Sequence, residues 1–336
     1  MSGPFDLHIP SVFVVGSPFQ ALCAIAAIKN LEITDYFFLV VHNGAGSRDS
    51  QIDTFLNNMK VKYRVFYLNK YNLIKGICKN ILGLEGAYER LFVGEFSASF
   101  MMGVGLPFIK RGSNVVYLDD GSAMISFLGG TFERWDKKST RAIFNMLAKK
   151  RGIIPLRNFY TIYSDIQNSK YNIKGNDLSV IWNADISFKE QRNVVLIGTN
   201  MNSYCSQLEL SSDDYIHNIK LLFEQINRKF PHEKIIYIPH GNDKSLYAQQ
   251  LCEEYDGEFV KVETMVEEYL LRAPWIPVAV YGLCSTALLN VKRMMPSIQI
   301  VNVLIYGEED SKYLGKYKSI FTYYQKNGID CVEVYP

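Results

Sequence analysis

Short apolar, β-prone runs alternate along this chain with longer stretches that carry apolar residues at helical spacing, and most of the runs end in a small or turn-forming residue. Residues 11–15 read as a buried strand that passes through Gly16-Ser17-Pro18-Phe19-Gln20 into an apolar helix over 21–31, with Ser17 placed to cap it and Pro18 in its first turn. The pattern then predicts strands over 36–41 and 63–68, helices over 50–59 and 73–82, and a strand at 91–93 that ends in Gly94-Glu95-Phe96, with 99–109 packed beside it. Val115 to Leu118 form the central strand, followed at once by Asp119-Asp120-Gly121-Ser122, where Ser122 is placed to cap the next element. Beyond it, 131–150 reads as an amphipathic helix or helix pair with a basic end (Lys149, Lys150, Arg151), and 158–164 as an extra strand. The pattern loosens over 165–191, where Asn, Gly and Asp accumulate, which predicts a connector.

A second strand-helix series comes next. Residues 193–197 form a strand that turns at Gly198-Thr199-Asn200, and Ser211-Ser212-Asp213 cap a helix with Ile216, Ile219, Leu222, Phe223 and Ile226 on one face. Strands are expected over 234–239, 259–262 and 278–281 and helices over 244–255, 266–271 and 287–294, with 298–305 as the last clear strand. Two successive series of this kind imply an α/β protein of two Rossmann-like parallel-sheet domains facing across a cleft, the GT-B arrangement. The boundary falls near 186–192, giving domains 1–188 and 189–336.

Composition changes this picture little. The 336 residues are ample for two cores, and a net charge of +2 gives no sign of a nucleic-acid partner. Six scattered cysteines, with no C-x-x-C pair, argue for reduced thiols in a cytoplasmic protein and against structural zinc. No signal peptide or membrane-length apolar run is evident. The basic and aromatic stretch 60–79 leaves peripheral membrane association open, although a solvated face explains it as well.

The candidate chemistry sits at predicted strand ends. Asp119 and Asp120 pair two carboxylates at one such end, where one can act as a base and the other support it, the plain alternative being a surface turn. In the second half Gly198-Thr199-Asn200, His240-Gly241 and Ser285-Thr286 each follow a strand, and the free N–H groups of the helix after Ser285 favour a phosphate. Ordinary helix capping accounts for the Ser-Thr pair taken alone. Glu268, with Glu267 and Glu263 as competitors, is a carboxylate for a ribose diol. The chain lacks a G-x-G-x-x-G motif after its first strand, which argues against a dinucleotide there.

Asp119-Asp120-Gly121, His240 and Ser285-Thr286, in this order, resemble the acidic-acidic-Gly, His-Pro and Ser-Ser/Thr motifs of the bacterial sialyltransferases. The opening Val14-Val15-Gly16-Ser17-Pro18-Phe19-Gln20 looks like the start of the capsular polysialyltransferase and lipooligosaccharide sialyltransferase groups. One departure is Gly241, where the family has the Pro that shapes the backbone against the cytosine. The resemblance implies a CMP-sialic acid donor, a glycan acceptor, inversion without a metal or other cofactor, Asp120 as base with Asp119 in support, and His240 with Ser285 and Thr286 on the leaving phosphate. Ser17 and Gln20 would then face donor sugar or acceptor. Another CMP-nonulosonate or CMP-Kdo donor, or a nucleotide- or glycan-binding protein without catalysis, are the alternatives. Linkage, acceptor and oligomeric state are not specified by these motifs.

Overall fold

The computed structural model describes residues 3–44, 46–69, 86–121, 123–130, 138–166, 168–181, 192–241, 243, 246–306 and 314–334. The chain divides into two compact units, residues 1–181 and 182–336. The predicted boundary at 188/189 lies outside the described residues.

Among its described residues the first unit has seven strands: β1 (Ser11–Val15), β2 (Tyr36–His42), β3 (Tyr63–Tyr67), β4 (Tyr88–Val93), β5 (Ile109–Tyr117), β6 (Asn158–Thr161) and β7 (Asn172–Gly175). Its helices are α1 (Pro18–Asn30), α2 (Gly46–Asn58), α3 (Ser99–Gly105), α4 (Ala123–Leu128) and α5 (Lys138–Lys150). The strands lie in the order β3-β2-β1-β4-β5-β6-β7, and every pair is parallel. Because helices cover a parallel sheet on both faces, its central strands must be apolar throughout, and β1 is buried at all five positions.

The second unit repeats the scheme with β8 (Asn193–Ile197), β9 (Lys234–Ile238), β10 (Glu258–Phe259), β11 (Ala279–Gly282), β12 (Gln299–Ile305) and β13 (Asp330–Val334). Its helices are α6 (Met201–Leu208), α7 (Ser212–Lys229), α8 (Tyr247–Glu254), α9 (Val266–Arg272), α10 (Thr286–Met294) and α11 (Leu314–Lys326). The order β10-β9-β8-β11-β12-β13, again all parallel, matches the first six strands of the other sheet. The α/β class and the two Rossmann-like parallel-sheet domains of the GT-B fold class are thus present.

Several elements differ from expectation. The stretch 165–191 contains strand β7, and α11 and β13 come after β12, the last strand expected. Both strands are sheet edges with mostly polar or half-exposed residues, so neither has an apolar run to announce it. Strand β10 is two residues long. The predicted helix over 73–82, the residue Ser122 and the start of the predicted helix at 131–137 lie outside the described residues. Among the described residues no helix is long and apolar enough to cross a membrane.

Candidate functional site

In the first unit the strand order reverses between β1 and β4. Loops that leave the carboxyl ends of strands at such a reversal diverge, which makes it the usual ligand position in an open parallel sheet. Gly16-Ser17 leave β1, Gly94-Glu95 leave β4, and Leu118-Asp119-Asp120 leave the neighbouring β5. Three carboxylates and an amide therefore gather on one edge.

Gln20 organises them. Its Oε1 accepts a hydrogen bond from Gly16 N (2.8 Å), so the Nε2 must be the end that donates to Asp120 Oδ1 (2.8 Å). Gln20 is fully buried, and Ser17 Oγ accepts from its backbone N–H (3.3 Å) as the N-cap of α1. The amide expected to face a sugar is thus spent on aiming a carboxylate. A side chain at Gly94 would come within 2.6 Å of Gln20 Oε1, so this glycine leaves the space the amide occupies.

Asp120 is half-buried. Burial pushes its carboxyl up to about 6, with the Glu95 charge adding to the rise, while the Gln20 hydrogen bond and the Arg48 charge oppose it. Glu95 in turn accepts from Ser97 Oγ (2.9 Å). Neither Glu95 nor Arg48 stands out in the sequence as a site residue; a strand end beside β5 was the one available signal for Glu95.

Asp119 plays a different part. It is fully buried and accepts from Thr161 Oγ1, from Ile162 N (2.9 Å) and from Cys23 Sγ (3.8 Å). Burial pushes its carboxyl up to about 7 against the pull of these donors. It ties the end of β5 to the end of β6 and to α1, so its neighbour leaves the sheet in a fixed direction. With its oxygens engaged inward, the Asp-Asp pair does not present two carboxylates to one ligand.

In the second unit the order reverses between β8 and β11. Gly198-Thr199-Asn200 leave β8, His240-Gly241 follow β9, and Ser285-Thr286 follow β11, so the structure brings all three to the carboxyl ends of adjacent strands. Asn200 caps α6 by accepting from Ser203 N (2.9 Å). Ser285 caps α10, its Oγ accepting from Ala287 N (3.3 Å), which leaves the hydroxyl proton to donate elsewhere. His240 is exposed.

The supports of these loops were not evident from sequence. Cys284 adopts a left-handed backbone (φ 48°) held by Asn302 Oδ1, which accepts from Cys284 N (2.8 Å), while Tyr324 Oη donates to Ser285 O (3.0 Å). Gly198 is dictated from below: a side chain there would meet Tyr237 Oη at 2.2 Å. That hydroxyl belongs to a buried series of three, Tyr237 to Tyr247 (3.0 Å) to Tyr215 (3.2 Å). Glu268 is 2% exposed, accepting from Thr264 Oγ1 and pairing with Arg272 (3.2 Å). Glu267 is buried on Asn290 Nδ2 (2.6 Å), which leaves Glu263 as the exposed carboxylate of this loop.

No protein-family model matches the chain, and no curated protein matches it in sequence. Solved structures do resemble it. UDP-GlcNAc 2-epimerase from Neisseria meningitidis bound to UDP-GlcNAc aligns with a TM-score of 0.51 at 12% identity, covering 95% of this chain and 91% of that one. S. aureus MnaA with UDP aligns at 0.49 and 11% identity (96% and 88% covered), and E. coli heptosyltransferase WaaC with ADP at 0.41 and 10% identity (95% and 98% covered). The first of these supports the two-unit fold over nearly the whole chain.

Proposed function

We propose that this protein is a glycosyltransferase that moves sialic acid from CMP-sialic acid to a glycan hydroxyl, with inversion and without a metal, in the making of a bacterial capsule or lipooligosaccharide. The observation that carries the reading is Asp120: a half-buried carboxylate, aimed by a buried amide, with an acidity that leaves it ionised yet basic at neutral pH. As the acceptor oxygen bonds to the anomeric carbon, Asp120 takes the hydroxyl proton. The bond from that carbon to the phosphate oxygen breaks, and CMP departs with the electron pair. Positive charge or a proton from His240 and hydrogen bonds from Ser285, Thr286 and the N-terminus of α10 offset the charge on the leaving phosphate. Thr199 and Asn200 serve the same nucleotide, and Glu263, being exposed, suits the ribose better than the enclosed Glu268.

Release of the donor's nucleotide is the test, CMP from CMP-sialic acid and CMP-Kdo and UDP from UDP-GlcNAc, measured with EDTA present against lactose, sialyllactose and oligosialic acid. Acceptor-dependent release from CMP-sialic acid is expected, and Asp120→Asn lowers it by at least about 100-fold while CMP still binds. Turnover of CMP-Kdo alone would replace the donor, and turnover of UDP-GlcNAc alone would replace the family. CMP binding with no turnover of any donor would leave a binding protein.

A further inference from the structure

The basic, amphipathic end of the 131–150 stretch has no part in the site described above. Helix α5 packs inward through Phe144, Leu147 and Ala148, and Phe144 lies so close to α3 that a side chain at Gly103 would meet its ring at 2.1 Å. Its outer face presents Ile143 (43% exposed) and Met146 (62%), and Ile154 just beyond the helix is 58% exposed. These are three of the seven large apolar side chains exposed among the described residues, gathered within twelve positions.

The charge along this stretch has one sign. Lys149, Lys150 and Arg157 are exposed, and from residue 138 to 164 the sequence contains no Asp or Glu. A bulge adds to the set. Between two register positions β4 advances from Tyr88 to Arg90 while β5 advances from Ile109 to Asn114, five residues against two, which throws out Lys110-Arg111-Gly112-Ser113. Gly112 N then bonds to Arg151 O (2.8 Å), bringing the exposed Arg111 to the end of α5. Ile154 and Arg157 also rim a cavity of about 260 Å³ walled by Asn158 and Asn172. Ser113 lines it too, with a buried hydroxyl that has no hydrogen-bond partner.

We infer that this face, Ile143, Met146 and Ile154 within a ring of Arg111, Lys149, Lys150 and Arg157, docks the protein on an anionic phospholipid bilayer. Apolar side chains enter the headgroup boundary, the basic groups meet lipid phosphates, and the cavity has the space and polar lining for a headgroup. A protein partner would need a large acidic surface to match; a bilayer supplies that charge everywhere. The inference is independent of which sugar nucleotide the other site takes.

The test is flotation of the full chain with vesicles of phosphatidylcholine alone and with about 30% phosphatidylglycerol, at low and high salt. Binding is expected only with the anionic lipid, weakened by salt. It falls about tenfold in Lys149→Gln/Lys150→Gln and is lost in Met146→Asp/Ile154→Asp. All of these sites are exposed, so thermal melting should not change. Val332→Asp, at an exposed apolar residue of the other unit, is expected to bind like the wild type. Absence of binding to anionic vesicles, equal binding by the Met146/Ile154 variant, or a dimer that this variant dissociates without any vesicle binding would each overturn the inference.

Discussion

Asp120 stands between opposed influences that can be removed one at a time. Burial and Glu95 raise its pKa to about 6, and Gln20 and Arg48 lower it. Since the base must be ionised, kcat/KM is expected to fall as pH drops through about 6. Glu95→Gln removes a neighbouring negative charge and moves that limb to lower pH. Gln20→Leu removes a hydrogen bond to the carboxylate and moves it to higher pH, with loss of turnover because the carboxyl is no longer aimed. A pH profile of the two variants that shifts in the same direction, or in neither, would dissociate Asp120 from the chemistry. At this scale the sequence was informative about which residues gather and poor on what each does. The pattern marks Asp119, Asp120, Gln20 and Ser17, yet the hydrogen bond from Gln20 to Asp120 spans 100 positions and has no local signature. Glu95 carries no mark of its role, because one acid after a strand looks like any other.

Elements meet at glycines, and the structure separates those that matter for space from those that do not. At Gly94 an added methyl would press on Gln20 at 2.6 to 2.9 Å, whereas at Gly16 its nearest neighbour would be 3.5 Å away. Gly94→Ala is therefore expected to cost about 1–3 kcal/mol and most of the activity. Gly16→Ala should stay within about 0.5 kcal/mol of wild type. Urea unfolding and kcat of the pair check this, and equal effects would contradict the packing described here. In sequence both residues are turn glycines at a strand end. The same limit explains the edge strands: β1 and β8 are buried at every position and read as apolar runs, while β7 (Asn-Ile-Lys-Gly) and β13 (Asp-Cys-Val-Glu-Val) have one face or less to bury.

At the scale of the whole molecule, two sheets share one strand order and each reverses at its own first strand, so the chain offers two crevices of the same kind with unlike linings. Carboxylates and an amide line the first. Hydroxyls, a histidine and a capped helix line the second. Hydrogen exchange with and without CMP is expected to show slowed amides around 198–204 and 284–290 and little change at 94–95 and 118–120; the reverse would exchange the proposed roles. This division was foreseeable from the alternation of strands and helices, because a parallel sheet dictates where its loops gather. Strand β5 links the two ends of the first unit. Its amino end adjoins Arg111 and the end of α5, Asp120 follows its carboxyl end, and the span from Asn114 to Asp120 is about 20 Å at the usual rise of a parallel strand. A unit resting on lipid by the former end would carry its base at that height above the headgroups. The strand would then act as a gauge, sorting acceptors by how far their free end stands clear of the bilayer before the identity of the terminal sugar matters at all.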